Sequence, residues 1–232
     1  MADIRMRGFN AIPPVIKNLI IINVLVWLAE LTFGEGFVSA LSLHFYKSPE
    51  FGIWQLITYM FLHSPQMLTH ILFNMFGLWM FGSTLENLWG SKRFILFYFI
   101  CGIGAALMQM AASAIEMNIL MNNLAQGKIL QAEFIERGQD IYNGIALGAS
   151  GAVMGVFAGF AYTFPNTPLF IMFIPIPIKA KYVMIGLILI DLFGGINPKY
   201  GGGVAHFAHV GGALIGFILV ITMNRTNRRN FY

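Results

Sequence analysis

The chain has 232 residues, of which 57% are hydrophobic and 10% charged, with a mean hydropathy of +0.71; soluble domains hold roughly 45 to 50% apolar residues. This excludes a soluble globular domain of useful size and points to an integral membrane protein. The formal charge of +4 does not indicate nucleic acid, because the basic residues flank apolar runs instead of forming one patch, and a single cysteine, Cys101 inside such a run, excludes a disulfide framework.

Six spans are predicted near 16–33, 67–84, 93–113, 147–164, 180–196 and 204–223, each matched to a window of about 20 residues. The first, "VIKNLIIINVLVWLAELTF", is long enough to span and lacks a small-residue cleavage site, so it is expected to stay as a helix. The connection that follows, about 34–66, contains "FGIWQLITYMFLHS", whose amphipathic and aromatic character suits a segment lying partly in the membrane interface. The second span opens on "HILFN" and runs to Glu86, best read as a partner for the basic "SKR" turn. Between the third and fourth spans lies the most charged stretch, about 114–144, expected to be helical and outside the membrane. The fourth span opens on "GASGAVMGV", the fifth holds Asp191, and the sixth holds His206 and His209. An N-terminus placed in the cytoplasm leaves ten of the fourteen basic residues inside, which predicts both termini cytoplasmic. The expected setting is the plasma membrane. The absence of a transporter-type internal repeat lowers a transport reading.

Polar groups within spans are costly and mark functional sites by default. With this topology the second, fourth and sixth spans enter from the outer side, so His70, Asn74, Ser150 and His209 fall at similar depth. Gly151, Gly155 and Gly159 repeat every fourth residue, as do Gly212 and Gly216; such stripes let helix backbones approach closely. Packing the two stripes together makes Ser150 and His209 neighbours, and a serine beside an imidazole has a base to take its proton. His70 and Asn74, four apart, share a helical face and can aim at a developing oxyanion, joined by the Ser150 amide at a helix N-terminus. These roles amount to acyl transfer. Asp191 is a candidate to orient His209, and His206 an alternative base. Zinc is disfavoured: the "HFAH" pair at 206–209 lacks a glutamate between its histidines and no HExxH occurs.

Together "GASG" at 148–151, "HILFN" at 70–74 and "AHVGGALIG" at 208–216 resemble the rhomboid intramembrane serine proteases, whose motifs are GxSG, HxxxN and AHxxGxxxG on the fourth, second and sixth helices of a six-helix core. The resemblance runs from about Trp54 to Thr222 and includes "LENLWGS" at 85–91 and "DLFG" at 191–194. It implies an all-α membrane protein, one six-helix rhomboid-like bundle over residues 1–232. It further implies a serine endopeptidase with Ser150 as nucleophile and His209 as base, a dyad without an acidic third member, which argues against Asp191. His70 and Asn74 become oxyanion donors. The implied partners are transmembrane substrate proteins in the bilayer, cut near their outer ends at small residues with helix-destabilising residues beyond. No cofactor or metal is implied. The alternative reading is a non-cleaving binder of transmembrane helices.

Three departures from the family pattern stand out. Met154, one turn after Ser150, replaces an aromatic residue that stacks under the imidazole, which predicts a looser His209. Gln55 replaces an arginine in a Trp-Arg pair, which predicts a less anchored first connection. The 114–144 segment exceeds the minimal plan. The fifth span and the loop "GGINPKYGGG" are the expected moving parts.

Overall fold

A computed structural model describes residues 12–170, 176–197 and 205–228. Arg5, Arg7, Lys199 and Arg229, used above for orientation, lie outside them, as does most of the "GGINPKYGGG" loop.

Helix α1 (Pro14–Phe33) begins with proline at its first position, where the missing N–H would have no intrahelical partner. The amides of Val15 and Ile16 donate to the two oxygens of Glu86, at 3.0 and 2.9 Å. A carboxylate there satisfies orphan donors and complements the helix dipole. Glu86 also accepts from the Ser91 hydroxyl at 2.7 Å, so it braces the start of α1 as well as the "SKR" turn. Helix α2 (Glu35–Leu41) leads to strand β1 (Leu43–His44). Short helix α3 (Gln55–Thr58) continues as a 3-10 turn over Tyr59–Phe61. The predicted second span is one helical rod: α4 (Leu68–Gly77), a π turn over Leu78–Gly82, then α5 (Ser83–Trp89), ended by Gly90 at φ +79°.

Helix α6 runs Ser91–Ala125, well past the predicted end at 113. Nothing between 113 and 125 is a glycine or proline, so no backbone signal stops it. Helix α7 (Gln131–Asn143) follows, confirming helical structure in this connection. Strand β2 (Ile145–Ala146) pairs antiparallel with β1, Leu43 opposite Ala146 and His44 opposite Ile145. Then come α8 (Ser150–Thr163), the strand pair β3 (Pro168–Leu169) and β4 (Ile178–Lys179), α9 (Ala180–Ile196) and α10 (His206–Arg228).

Helical stretches thus stand at all six predicted places. Among the described residues three are long and apolar enough to cross a membrane by length and composition: Pro14–Phe33, Ser91–Ala125 and His206–Asn224.

The distribution of polarity is that of a membrane protein. Leu25, Leu28, Phe73, Phe76, Leu189 and Phe193 point outward, while Asn23, Glu30, Gln55, Asn74, Glu86 and Asp191 are buried. In water such a surface would be an aggregation patch; in lipid it is solvated, and the polar groups are sheltered where they find partners.

Helix α8 is wedged between α6 and α10. A side-chain carbon on Gly212 would collide with the Gly151 carbonyl, and one on Gly216 with the backbone of Gly155. The two predicted stripes therefore meet. Gly159 departs from that reading, since it faces the side chains of Phe97, Trp89 and Leu85 and not α10. At the other flank of α8, Phe157 stacks on Phe81 of the π turn with ring centroids 4.2 Å apart.

The first connection is better anchored than its missing arginine predicts. Gln55 is fully buried; its amide donates to the carbonyls of Glu50 (2.8 Å) and Ala40 (3.3 Å), and its oxygen accepts from the His44 amide at 3.2 Å. A neutral amide ties this loop from within, while Ile53, Trp54 and Ile57 project outward as the amphipathic pattern predicts.

Candidate active site

Ser150 is the first residue of α8, and the backbone before it is shaped by glycine. Gly148 has φ +129°, a conformation L side chains rarely adopt. A side-chain carbon there would lie 2.8 Å from His70 Nε2 and 3.6 Å from Ser150 Oγ. The same point in space is therefore bordered by both groups. The Gly148 amide donates to the Tyr59 carbonyl at 2.9 Å, tying the turn to the first connection. A side chain at 148 would fill the space between hydroxyl and imidazole, so the backbone there is bare.

The Ser150 hydroxyl donates to His209 Nε2 at 2.7 Å. On the far side of that ring, Nδ1–H donates to Asp191 Oδ1 at 3.0 Å. His206 Nδ1 donates to the same carboxylate oxygen at 2.7 Å. Of the two histidines on α10, His209 is the one that the serine hydroxyl meets, while His206 Nδ1 meets the acid. Asp191, which the resemblance argued against, touches both imidazoles.

His70 is set in one tautomer by its surroundings. Its Nδ1 accepts from the Ser64 amide at 3.3 Å, which leaves the proton on Nε2, the atom that borders Gly148. Asn74, on the same face, donates its amide to the His70 carbonyl at 2.9 Å and is buried. Ser150, His209 and His70 are therefore brought together, with Asn74 one turn along α4.

Two supporting residues escaped the sequence reading. Glu30 of α1, buried, accepts from the His63 amide at 2.9 Å and so fixes the segment whose next amide holds His70. His63 is itself fully buried, with its ring centroid 5.0 Å from that of His70. It lies just outside the predicted second span, where a search for polar groups within spans does not look. A cavity of about 630 Å³ opens beside these groups, lined by Glu30, Ser64, Gln66 and Leu147 among others.

Burial, reinforced by repulsion between the two imidazoles of His63 and His70 were both to take a proton, pushes the His63 imidazole down to about 3. Above pH ~6.5 both folded and unfolded forms are neutral at this residue. Below it the unfolded chain takes a proton that the fold refuses until about pH 3. Stability should therefore fall as pH drops from ~6.5, by at most ~1.4 kcal/mol per pH unit for this one group. Thermal unfolding between pH 7.5 and 4.5 should show a steeper decline for the natural chain than for His63→Gln; equal slopes would refute the assignment.

Comparison with known proteins agrees with the motifs. A sequence model of the Rhomboid domain matches residues 50–226. The chain is 31% identical over 167 residues to RHOMBOID-like protein 6, mitochondrial, of Arabidopsis thaliana, covering 72% of this chain and 42% of that protein. It is 26% identical over 224 residues to Rhomboid protease AarA of Providencia stuartii, covering 88% of this chain and 70% of that one. Rhomboid protein 1, mitochondrial, of Saccharomyces cerevisiae is 25% identical over 155 residues, 67% of this chain and 38% of the yeast protein. The chain thus spans under half the length of the two mitochondrial relatives. Their names give no support to the plasma membrane expected above; the membrane setting itself stands. A Rhomboid domain over most of the chain, on a helical fold with outward apolar faces, makes this chain a member of the rhomboid family.

Proposed function

We propose that the chain is an intramembrane serine endopeptidase acting on transmembrane proteins. The observation that carries this is the 2.7 Å hydrogen bond between Ser150 Oγ and His209 Nε2, formed beside an imidazole donor on a different helix. His209 takes the hydroxyl proton as Oγ attacks the scissile carbonyl. The tetrahedral oxyanion is held by His70 Nε2–H, by the second N–H of the Asn74 amide and by the Ser150 backbone N–H at the start of α8. His209 then protonates the leaving amine. Water, deprotonated by the same imidazole, hydrolyses the acyl-serine and restores the hydroxyl.

Six crossings with both termini cytoplasmic remain the topology of this reading, with the site toward the outer side. The length of α8 supports a site sunk into the membrane. Its 14 residues rise about 21 Å, roughly 9 Å short of a hydrocarbon core of about 30 Å. If Thr163 sits near one boundary, Ser150 lies below the other. Irregular backbone at such depth is tolerated where protein or water covers it, and Gly148 and Ala149 are buried. The cavity reaches Ser64, whose amide holds His70, and Leu147, which precedes Gly148, but neither Ser150 nor His209 lines it.

The test uses the protein in liposomes with a single-span substrate, mapping the cut by mass spectrometry before and after treatment with a fluorophosphonate. The expected result is a cut near one membrane face, blocked by an adduct on Ser150. Cleavage that persists with Ser150 fully labelled, or an adduct elsewhere, would overturn the reading.

A further inference from the structure

The Ser150–His209 pair does not stand alone, and the group behind it is an unusual one. Asp191, near the C-terminal end of α9, is 6% exposed in a protein whose outer faces are apolar. A carboxylate in such a place is expensive and needs partners. Here one oxygen, Oδ1, has two: Nδ1 of His209 at 3.0 Å and Nδ1 of His206 at 2.7 Å. The two histidines are three apart on α10, so they share a helical face and reach the same atom. The His206 ring is seated against α9 where Gly194 has no side chain; a carbon there would lie 2.5 Å from His206 Nε2. Beside it, the Phe207 ring fills the space at Gly195, 2.9 Å from where a side-chain carbon would be. The acid is thus clamped from behind by a wedged imidazole and presents its remaining capacity to His209.

We propose that Asp191 is the positioning residue of this site, fixing His209 as the Nδ1–H tautomer with its Nε2 lone pair on Ser150, and that His206 holds Asp191 in place. The proposal rests on the protease reading above. The chemistry follows from hydrogen-bond direction. An acceptor at Nδ1 obliges that nitrogen to carry the proton, which leaves Nε2 as the base. When Nε2 takes the serine proton, the carboxylate also faces the new positive charge, as the acid does in a serine triad. Met154, one turn after Ser150, offers no ring for the imidazole to stack on, so orientation comes from this hydrogen bond. Among the described residues, the titratable groups facing His209 are Asp191 from α9, His206 from its own helix and His70 from α4. At this level α6 presents Gly104 and Met108 to α10.

The experiment compares the full chain with Asp191→Asn and His206→Phe in liposomes, reading cleavage, the rate of fluorophosphonate labelling and thermal unfolding. Asp191→Asn should lower kcat on the order of 10²–10⁴-fold, by analogy with an acid-to-amide change behind a catalytic histidine, with KM within about twofold. Labelling should slow in parallel, and the acid limb of kcat/KM should move to lower pH because the imidazolium loses its counter-charge. His206→Phe removes the competing donor and leaves the carboxylate to His209 alone, so its acid limb should move the opposite way. A purely structural role would lower the unfolding temperature and the active fraction while leaving both limbs where they are; that result overturns the proposal. If Asp191→Asn does not fold, the sign of the His206→Phe shift decides. Loss of cleavage in Ser150→Ala with an unchanged Asp191→Asn refutes this inference alone, whereas a natural chain that neither cuts nor labels at Ser150 refutes the protease reading and this inference with it.

Discussion

Ser150→Ala should abolish cleavage of a transmembrane substrate, and His209→Ala should do the same, each by a factor on the order of 10⁴–10⁶ in kcat, with the double variant no worse than either. The non-additivity follows from the geometry. Oγ is a weak nucleophile until Nε2 removes its proton, and Nε2 has no other proton to take at that 2.7 Å contact. Losing one partner leaves the other idle. Neither substitution should unfold the chain. Ser150 is only half-buried and, among the described residues, its hydroxyl hydrogen-bonds to His209 alone, so alanine removes one oxygen without opening a large cavity. His209→Ala removes more, but Asp191 keeps His206 as a partner at 2.7 Å. The measurement is product formation in liposomes alongside thermal unfolding. Cleavage by Ser150→Ala at a tenth of the natural rate or more would sink the nucleophile assignment, whatever the unfolding temperature.

Much of this arrangement was legible because its physical causes are local. The helical stretches follow from apolar runs, and the meeting of Ser150 with His209 follows from two glycine stripes, Gly151/Gly155 and Gly212/Gly216, that could only be satisfied by each other. Gly159 continues the first stripe in sequence but faces α5 and α6, because each four-residue step turns about 40° past a full revolution and the stripe winds away from a contact it began on. What stayed illegible depends on partners distant in sequence. Glu86 was read as serving its neighbouring turn, yet it also accepts from amides 71 and 70 residues away. Gln55 was read as the loss of an anchor because an arginine was missing; three hydrogen bonds inside the loop supply the anchor in neutral form. Asp191 could not be placed until the turn of α9 relative to α10 was known, since the position before it, Ile190, points outward. Glu30 and His63 were overlooked for a simpler reason. Each lies at the edge of a predicted span, where a polar residue looks like ordinary interface.

Gly212→Val should disrupt the fold and the site together. The carbon it introduces would fall on the Gly151 carbonyl, a backbone atom inside α8 that has no rotamer to escape into. Overpacking in a core typically costs about 1–3 kcal/mol where side chains can shift; here a whole helix has to move, so the loss should exceed that range. The consequence for chemistry is direct, because Ser150 rides on α8 and His209 on α10, three residues before Gly212. Any displacement that admits a valine lengthens a 2.7 Å hydrogen bond. The expected outcome is an unfolding temperature lower by more than about 6 °C, from a loss above ~3 kcal/mol at no less than roughly 2 °C per kcal/mol for a chain of this size, and fluorophosphonate labelling reduced to background. Gly186→Ala supplies the contrast. It too is a glycine inside an apolar helix, but nothing lies within 4 Å of the added carbon, and alanine is the better helix former by about 1 kcal/mol. It should unfold at or above the natural temperature and label at the natural rate. If Gly212→Val behaved like Gly186→Ala, the close approach of α8 and α10 would not be what holds serine against histidine, and the two stripes would be a composition bias of an apolar chain.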